Sequence, residues 1–104
     1  MPPPPAAPAE PPRWTFLTNH AHVLVSIARR PDQRLRDVAE AVGITERAAQ
    51  RIVRDLEAEG YLERERTGRR NRYRIDLDRP LRHPMDTATR VGDVLRALAR
   101  VPGV

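Results

Sequence analysis

The sequence predicts one small α+β domain that is mainly α-helical, with three helices, a β-hairpin and an extra C-terminal helix. Two observations support this prediction. Apolar residues recur at three- and four-residue spacing in the segments 17–28, 35–42 and 48–56 and again near the end of the chain, as they do on one face of a helix. Between these segments, the stretch YRIDL alternates apolar and polar residues, as strands do.

The chain has three parts that differ in composition. Residues 1–12, MPPPPAAPAEPP, contain most of the prolines and nothing that could form a core, so we expect an extended, disordered tail. Residues 13–84 contain the first three helices and the hairpin, and residues 85–101 contain the last helix. Trp14 and Phe16 are two of only four aromatic residues, and we expect them to pack against the first helix.

Capping signals define the ends of the first two helices. The first helix begins after Thr18, a good N-cap, and ends before Pro31. The second helix spans 35–42 and stops at Gly43, because glycine readily adopts the left-handed conformation that ends many helices.

The third helix spans 46–59, between the N-cap Thr45 and Gly60. Strands are predicted at 62–67 and 71–77, on either side of a turn at Gly68. A linker that contains Pro80 and Pro84 follows. The last helix is indicated by an amphipathic pattern of Ala88, Val91, Val94, Leu95, Leu98, Ala99 and Val101.

This order of elements is that of a winged helix-turn-helix, with the hairpin as the wing. Gly43 allows the chain to reverse between the second and third helices, and Ile44 fills the corner beneath them. Thr45 caps the helix that such a domain presents to DNA. The fold therefore predicts the third helix as the recognition helix.

The third helix separates apolar from polar residues. At roughly 100° per residue, one side carries Ala48, Ala49, Ile52, Val53 and Leu56, and the other carries Arg47, Gln50, Arg51 and Arg54. Arg can hydrogen-bond guanine through two atoms and Gln can do so with adenine, so the polar side is expected to contact bases, beside Thr45. The alternative is a solvated face on which the arginines pair with Asp55, Glu57 and Glu59.

The hairpin is the second basic feature. Six arginines, at positions 64, 66, 69, 70, 72 and 74, face two acidic residues, Glu63 and Glu65. We expect Arg69, Arg70 and Arg72 to contact the DNA backbone or the minor groove. The alternative is that these charges only prevent edge-to-edge association of strands.

The apolar face of the last helix is wider than a single surface helix needs. Pairing it with the first helix of a second chain would form a two-fold dimer, which would supply a second recognition helix for a second half-site. Folding of the last helix onto its own domain is the alternative. The expected dimer-interface residues are Trp14, Phe16, Leu17, Leu24, Val91, Leu95 and Leu98.

Composition excludes several function classes. All 19 basic residues are Arg, against 14 acidic residues, but this fits the codon bias of a G+C-rich genome, so net charge alone is weak evidence for nucleic acid. The absence of Cys excludes disulfides and thiolate sites. No apolar run approaches the roughly 20 residues of a membrane span, and residues 1–12 lack a signal-peptide pattern, so we expect a cytoplasmic, nucleoid-associated protein.

Metal binding and catalysis are not predicted. His20 and His22 lie two residues apart on a helix and therefore point to different faces, so they cannot chelate one ion, with or without His83 and Asp86. His20 is expected either to be a satisfied histidine, with a hydrogen-bond partner in its own chain, or to lie at an interface. The chain has no phosphate-binding glycine loop, nucleophile elbow or paired-carboxylate pocket, so we expect neither an enzyme nor a cofactor.

Residues 14–84 resemble winged-helix proteins of the broad ArsR and MarR type from actinobacteria and archaea. The similarity covers WTFLTNHAHVL, RLRDVAEAVGITERAAQRIVRDLEAEGYL, GRRNRY and LRHP. It implies a transcription regulator with recognition helix 46–59, wing 62–77 and terminal helices at the dimer interface. The chain lacks the Cys pair of metal-sensing ArsR proteins, so the resemblance does not imply metal sensing. It also lacks the extra length of MarR proteins that bind drugs or phenols, so the resemblance does not imply an effector.

We therefore expect a homodimeric regulator that binds a specific sequence in double-stranded DNA. Two alternatives remain. In the first, the winged helix binds another protein. In the second, a small molecule binds at the dimer interface, near Trp14 and His20, and changes DNA binding.

Overall fold

The structure is a computed structural model that describes residues 12–68 and 70–99. These residues form four helices, a two-stranded hairpin and one 3-10 turn (Pro84–Asp86). The predicted mainly helical fold is confirmed. Residues 1–11 of the predicted tail, Arg69 and Val101 lie outside the described residues. In chain order the elements are α1 (Asn19–Arg29), α2 (Leu35–Val42), α3 (Glu46–Ala58), β1 (Leu62–Thr67), β2 (Arg70–Ile75) and α4 (Val91–Leu98).

Local hydrogen bonds set the ends of the first three helices, as the sequence predicts. The hydroxyl oxygens of Thr18 and Thr45 each accept a hydrogen bond from the backbone N–H three residues later, at 3.3 and 3.0 Å, which satisfies a donor left free at a helix start. Helix α2 ends at Gly43 with φ +86°, where an L side chain would be strained. Helix α3 ends at Ala58, one residue before the predicted end.

The strands β1 and β2 form an antiparallel hairpin. The second strand was predicted at 71–77, but β2 begins at Arg70 and ends at Ile75, so the prediction is wrong at both ends. The carboxylate of Asp76 accepts a hydrogen bond from the backbone N–H of Asp78 at 3.1 Å. This local turn takes the chain away from the ladder, so the alternating pattern continues in the sequence after the strand has ended.

Helix α4 is shorter than predicted and starts at Val91 rather than near Ala88. Its start is fixed by Asp93, whose carboxylate accepts a hydrogen bond from the backbone N–H of Arg90 at 3.0 Å. Gly92, the second residue of α4, donates its backbone N–H to the carbonyl of Leu77 at 2.8 Å. A Cβ at this position would lie 3.0 Å from that carbonyl oxygen, so glycine permits the close approach.

One hydrophobic core joins the four helices to the base of the hairpin. Helix α4 packs against α1 of its own chain, which is the alternative to a pairing of these helices between two chains. No helix in the described part of the chain is long and apolar enough to cross a membrane. The core residues include Val23, Ile27, Val38, Val53, Leu56, Leu62, Tyr73, Val91 and Leu95.

Two groups of expected interface residues lie in different surroundings. Leu24, Val91 and Leu95 are buried within the chain, at 8%, 2% and 1% exposed. Trp14 and Phe16 are 72% and 93% exposed, so the expectation that they pack on the first helix is wrong. The buried residues of α1, among them Val23 and Ile27, pack in the core formed with the other helices instead. Leu17 and Leu98 are half-buried.

Candidate nucleic-acid interface

Helix α3 presents the polar face that the sequence predicts. Its apolar residues Ala49, Ile52, Val53 and Leu56 are buried and Ala48 is half-buried. This burial fixes the rotation of the helix about its axis. The opposite face is therefore exposed along its length, and it carries Arg47, Gln50, Arg51 and Arg54.

Three acidic residues at the C-terminal end of α3 and its C-cap contact other parts of the molecule, and not the arginines of the helix. They lie where α3 approaches α1, β1 and the segment after the wing. Glu46, in the first turn of α3, is in no ion pair within the described residues. This contradicts the alternative in which the arginines of α3 are neutralised on their own helix. The three contacts are the hydrogen bond between Asp55 and His20 of α1 at 2.8 Å, the ion pair of Glu57 with Arg64 of β1 at 3.2 Å, and the ion pair of Glu59 with Arg82 at 3.4 Å.

Three arginines on α3 consequently have no ion-pair partner among the described residues. Within residues 12–68 and 70–99, Arg47, Arg51 and Arg54 take part in no ion pair. The N-terminal end of a helix adds a partial positive charge to such a face. The hydroxyl of Thr45 accepts the capping hydrogen bond and keeps its own hydrogen to donate. An exposed face with this charge and these donors can bind an anionic ligand.

The arginines near the base of the wing are bound within the protein. Arg74 contacts the carboxylates of Glu63 and Glu65 at 2.6 and 3.6 Å, and the hydrogen bond to Glu63 raises the pKa of Arg74. Arg64 pairs with α3 and lies 5.8 Å from the ring centre of Tyr73. Burial raises the pKa of the Tyr73 phenol, and Arg64 partly offsets this rise.

Among the described side chains nearer the tip, Arg66 and Arg72 are not bound in this way. Arg72 stands opposite Glu65 in the ladder, but Glu65 contacts Arg74. Arg66 stands opposite Asn71, which carries no charge. Both arginines are exposed and are in no ion pair within the described residues.

Sequence reasoning left Arg66 out of the expected site. Pairing the two strands about Gly68 would have placed it opposite Asn71, without an acidic neighbour. Of the expected wing residues, Arg69 and the side chain of Arg70 lie outside the described part of the structure, so only Arg72 can be placed.

His20 is a satisfied histidine, as expected, because its Nε2 contacts the carboxylate of Asp55 at 2.8 Å. Within the described residues, no three His, Cys, Asp or Glu side chains are grouped so that they could hold a metal ion.

Comparison with protein families identifies the family of this chain. The model of the MarR family matches residues 15–72, which is more than half of the chain and includes α1, α2, α3, β1 and the start of β2. No curated protein matches the chain. The matched region includes the exposed arginines of α3 and the unpaired arginines of the wing.

Proposed function

The chain belongs to the MarR family of DNA-binding transcription regulators, and we propose that it binds a specific double-stranded DNA sequence as a homodimer, with α3 of each copy in the major groove. The observation that best supports this proposal is the unpaired polar face of α3. Its arginines are exposed and have no protein partner within the described residues, so they can bind DNA without breaking an existing ion pair.

The residues on this face can contact different parts of the DNA. Arg47 and Arg51 lie one turn apart, and each can donate two hydrogen bonds to the O6 and N7 atoms of guanine. Gln50 can pair in a similar way with adenine. Arg54 lies further from the N-terminal end and would contact a phosphate, which positions the helix without selecting a base.

The wing would add affinity that does not depend on sequence. Arg66 and Arg72 are free to approach the phosphates beside the minor groove, and we include Arg69 and Arg70 at the tip. Each phosphate that an arginine neutralises releases counterions, so this contribution falls as salt rises. In a two-fold dimer the two recognition helices would contact half-sites about one DNA turn apart.

The double variant Arg47→Ala/Arg51→Ala tests this proposal. A DNA sequence selected from a random pool serves as ligand, and binding is measured over a range of salt concentrations. Loss of a bidentate contact costs about 1–3 kcal/mol, and the double variant loses two such contacts in each copy. We therefore expect it to bind the selected site at least about 30-fold more weakly. Arg96→Ala is the matched control, because Arg96 lies on α4 and pairs with Asp93 at 2.6 Å.

Two outcomes would contradict the proposal. One is equal affinity of the wild-type protein for selected and random DNA. The other is an equal effect of the double variant and Arg96→Ala. Either outcome, together with binding that does not weaken as salt rises, would favour the alternative in which the domain binds another protein.

A further inference from the structure

Glu46, the first residue of α3, is a carboxylate on a surface that is otherwise basic. It is exposed and lies in the first turn of the helix. Asp55 and Glu57 of the same helix both have partners in other elements. Glu46 is therefore the one acidic side chain of α3 that is in no ion pair among the described residues.

Helical spacing explains why Glu46 finds no cation on its own helix. Side chains three and four residues apart are neighbours on a helix, and these positions after Glu46 are Ala49, which is buried, and Gln50, which is uncharged. Arg47 follows Glu46 directly and is turned from it by roughly 100° about the helix axis. The carboxylate therefore lies beside Gln50, at the edge of the exposed basic face.

A free carboxylate on this face weakens binding to a polyanion. When the N-terminal half of α3 approaches DNA, the phosphates attract the arginines and repel Glu46. A group that weakens binding in general adds specificity when one partner alone can satisfy it. Glu46 is satisfied in the major groove only where the DNA offers it a hydrogen-bond donor.

The base edges in the major groove differ in what they offer a carboxylate. Guanine presents the two acceptors N7 and O6, and thymine presents the acceptor O4 and a methyl group. Adenine presents the donor N6 beside the acceptor N7, whereas cytosine presents the donor N4 without an acceptor beside it. An ionised carboxylate can only accept hydrogen bonds, so cytosine is the base that fits it best.

We propose that Glu46 selects a C·G base pair in each half-site by accepting a hydrogen bond from N4 of cytosine, and that it weakens binding to DNA that has no cytosine at that position. This inference rests on the proposed function, in which α3 lies in the major groove, and it adds a residue that chooses bases. Arg47 and Gln50, which lie beside Glu46 on the helix, then contact neighbouring base pairs.

Stabilisation of the helix start is the other role open to Glu46. A negative charge in the first turn interacts favourably with the partial positive charge of the helix N-terminus, and Asp supplies this charge as well as Glu does. A base contact also needs the length of the Glu side chain, because Asp is one methylene shorter. Glu46→Asp therefore separates the two roles, since it keeps the charge and withdraws the carboxylate from the base.

Binding to single-base variants of the selected DNA site tests the proposal. Each base pair of one half-site is changed in turn to the other three, and affinity is measured at one salt concentration for the wild-type protein and for Glu46→Ala. We expect the wild-type protein to prefer cytosine at one position by about fivefold or more, as one mismatched base pair costs. Glu46→Ala should lose this preference and keep the others. Equal preferences of the two proteins at every position would overturn the inference.

Random DNA gives a second measurement, with an effect of opposite sign. We expect Glu46→Ala to bind random DNA several-fold more tightly than the wild-type protein does, because a charge that repels phosphates is gone. Glu40→Ala is the matched control. Glu40 is also exposed and in no ion pair within the described residues, but it lies on α2. Loss of the cytosine preference in this control would show that net charge sets the preference, and would reject the inference.

Glu46→Asp completes the test, with circular dichroism to establish that each variant is folded. We expect it to keep the thermal stability of the wild-type protein and to lose the cytosine preference. If it keeps that preference, the reach of the side chain is not needed and the inference is wrong.

The same measurements separate the inference from the proposed function. A wild-type protein that binds selected and random DNA equally would reject the proposed function, and this inference with it. Selective binding that is weakened by Arg47→Ala/Arg51→Ala, with base preferences that do not change in Glu46→Ala, would retain the proposed function and reject this inference alone.

Discussion

The exposed face of α3 and the base of the wing both carry arginines, but the arginines differ in whether they form ion pairs within the protein. Arg51 and Arg74 are both exposed, but Arg74 lies between two carboxylates, whereas Arg51 has none within 4 Å among the described residues. The difference does not come from local composition, because acidic residues are present on both elements. It comes from where those acids find their partners.

We expect the two groups of arginines to contribute to different properties, the wing base to the stability of the fold and α3 to DNA binding. At the wing base, charged side chains cover the buried Tyr73 and connect the hairpin to α3, so changes there are expected to affect folding. On α3 the arginines contact nothing that holds the fold together, so changes there are expected to affect DNA binding alone.

The largest effect is expected from Tyr73→Ala. Tyr73 is 4% exposed in the core, and removal of a buried aromatic ring costs about 3–5 kcal/mol. Chemical denaturation should show this loss, whereas Tyr73→Phe keeps the ring and should lose much less. The α3 variant Arg47→Ala/Arg51→Ala should change the free energy of unfolding by only about 0.5 kcal/mol per site. A comparable loss of stability in the α3 variant would remove the distinction between the two regions.

A smaller effect is expected when Arg72→Ala is compared with Arg74→Ala. The two residues lie on the same strand and carry the same charge, but only Arg74 is paired. We expect Arg72→Ala to lower DNA affinity several-fold and to reduce the slope of log affinity against log salt concentration by about two for the dimer, one for each copy. Arg74→Ala should change the slope less, because its charge is already neutralised. Equal slopes for the two variants would show that ion pairing within the wing does not decide which arginines bind DNA.

The smallest effect is expected from His20→Ala. This change releases Asp55, which lies four residues after Arg51 and could then pair with it on the helix. Such pairs contribute about 0.3–0.5 kcal/mol in each copy, so we expect the DNA affinity of the dimer to fall by no more than about fivefold. The double variant His20→Ala/Asp55→Ala should restore the affinity, because the competing carboxylate is gone. If affinity remains low in the double variant, His20 acts in another way.

Part of the candidate site could be predicted from the sequence. The positions of Arg47, Gln50, Arg51 and Arg54 on one side of α3 follow from helical periodicity, and burial of the opposite side confirms them as the exposed face. Which arginines are free could not be predicted in the same way. The partner of Asp55 is 35 residues away, and no local pattern indicates that pairing.

The order of the elements and the ends of the first two helices could be predicted from the amino-acid sequence alone. Thr18, Gly43 and Thr45 act through hydrogen bonds that span only a few residues, so their effect depends little on the rest of the chain. The packing of α4, the exposure of Trp14 and Phe16, and the set of arginines without an ion-pair partner among the described residues follow from the tertiary structure. These features depend on contacts between segments that are distant in sequence, and only the folded chain brings those segments together.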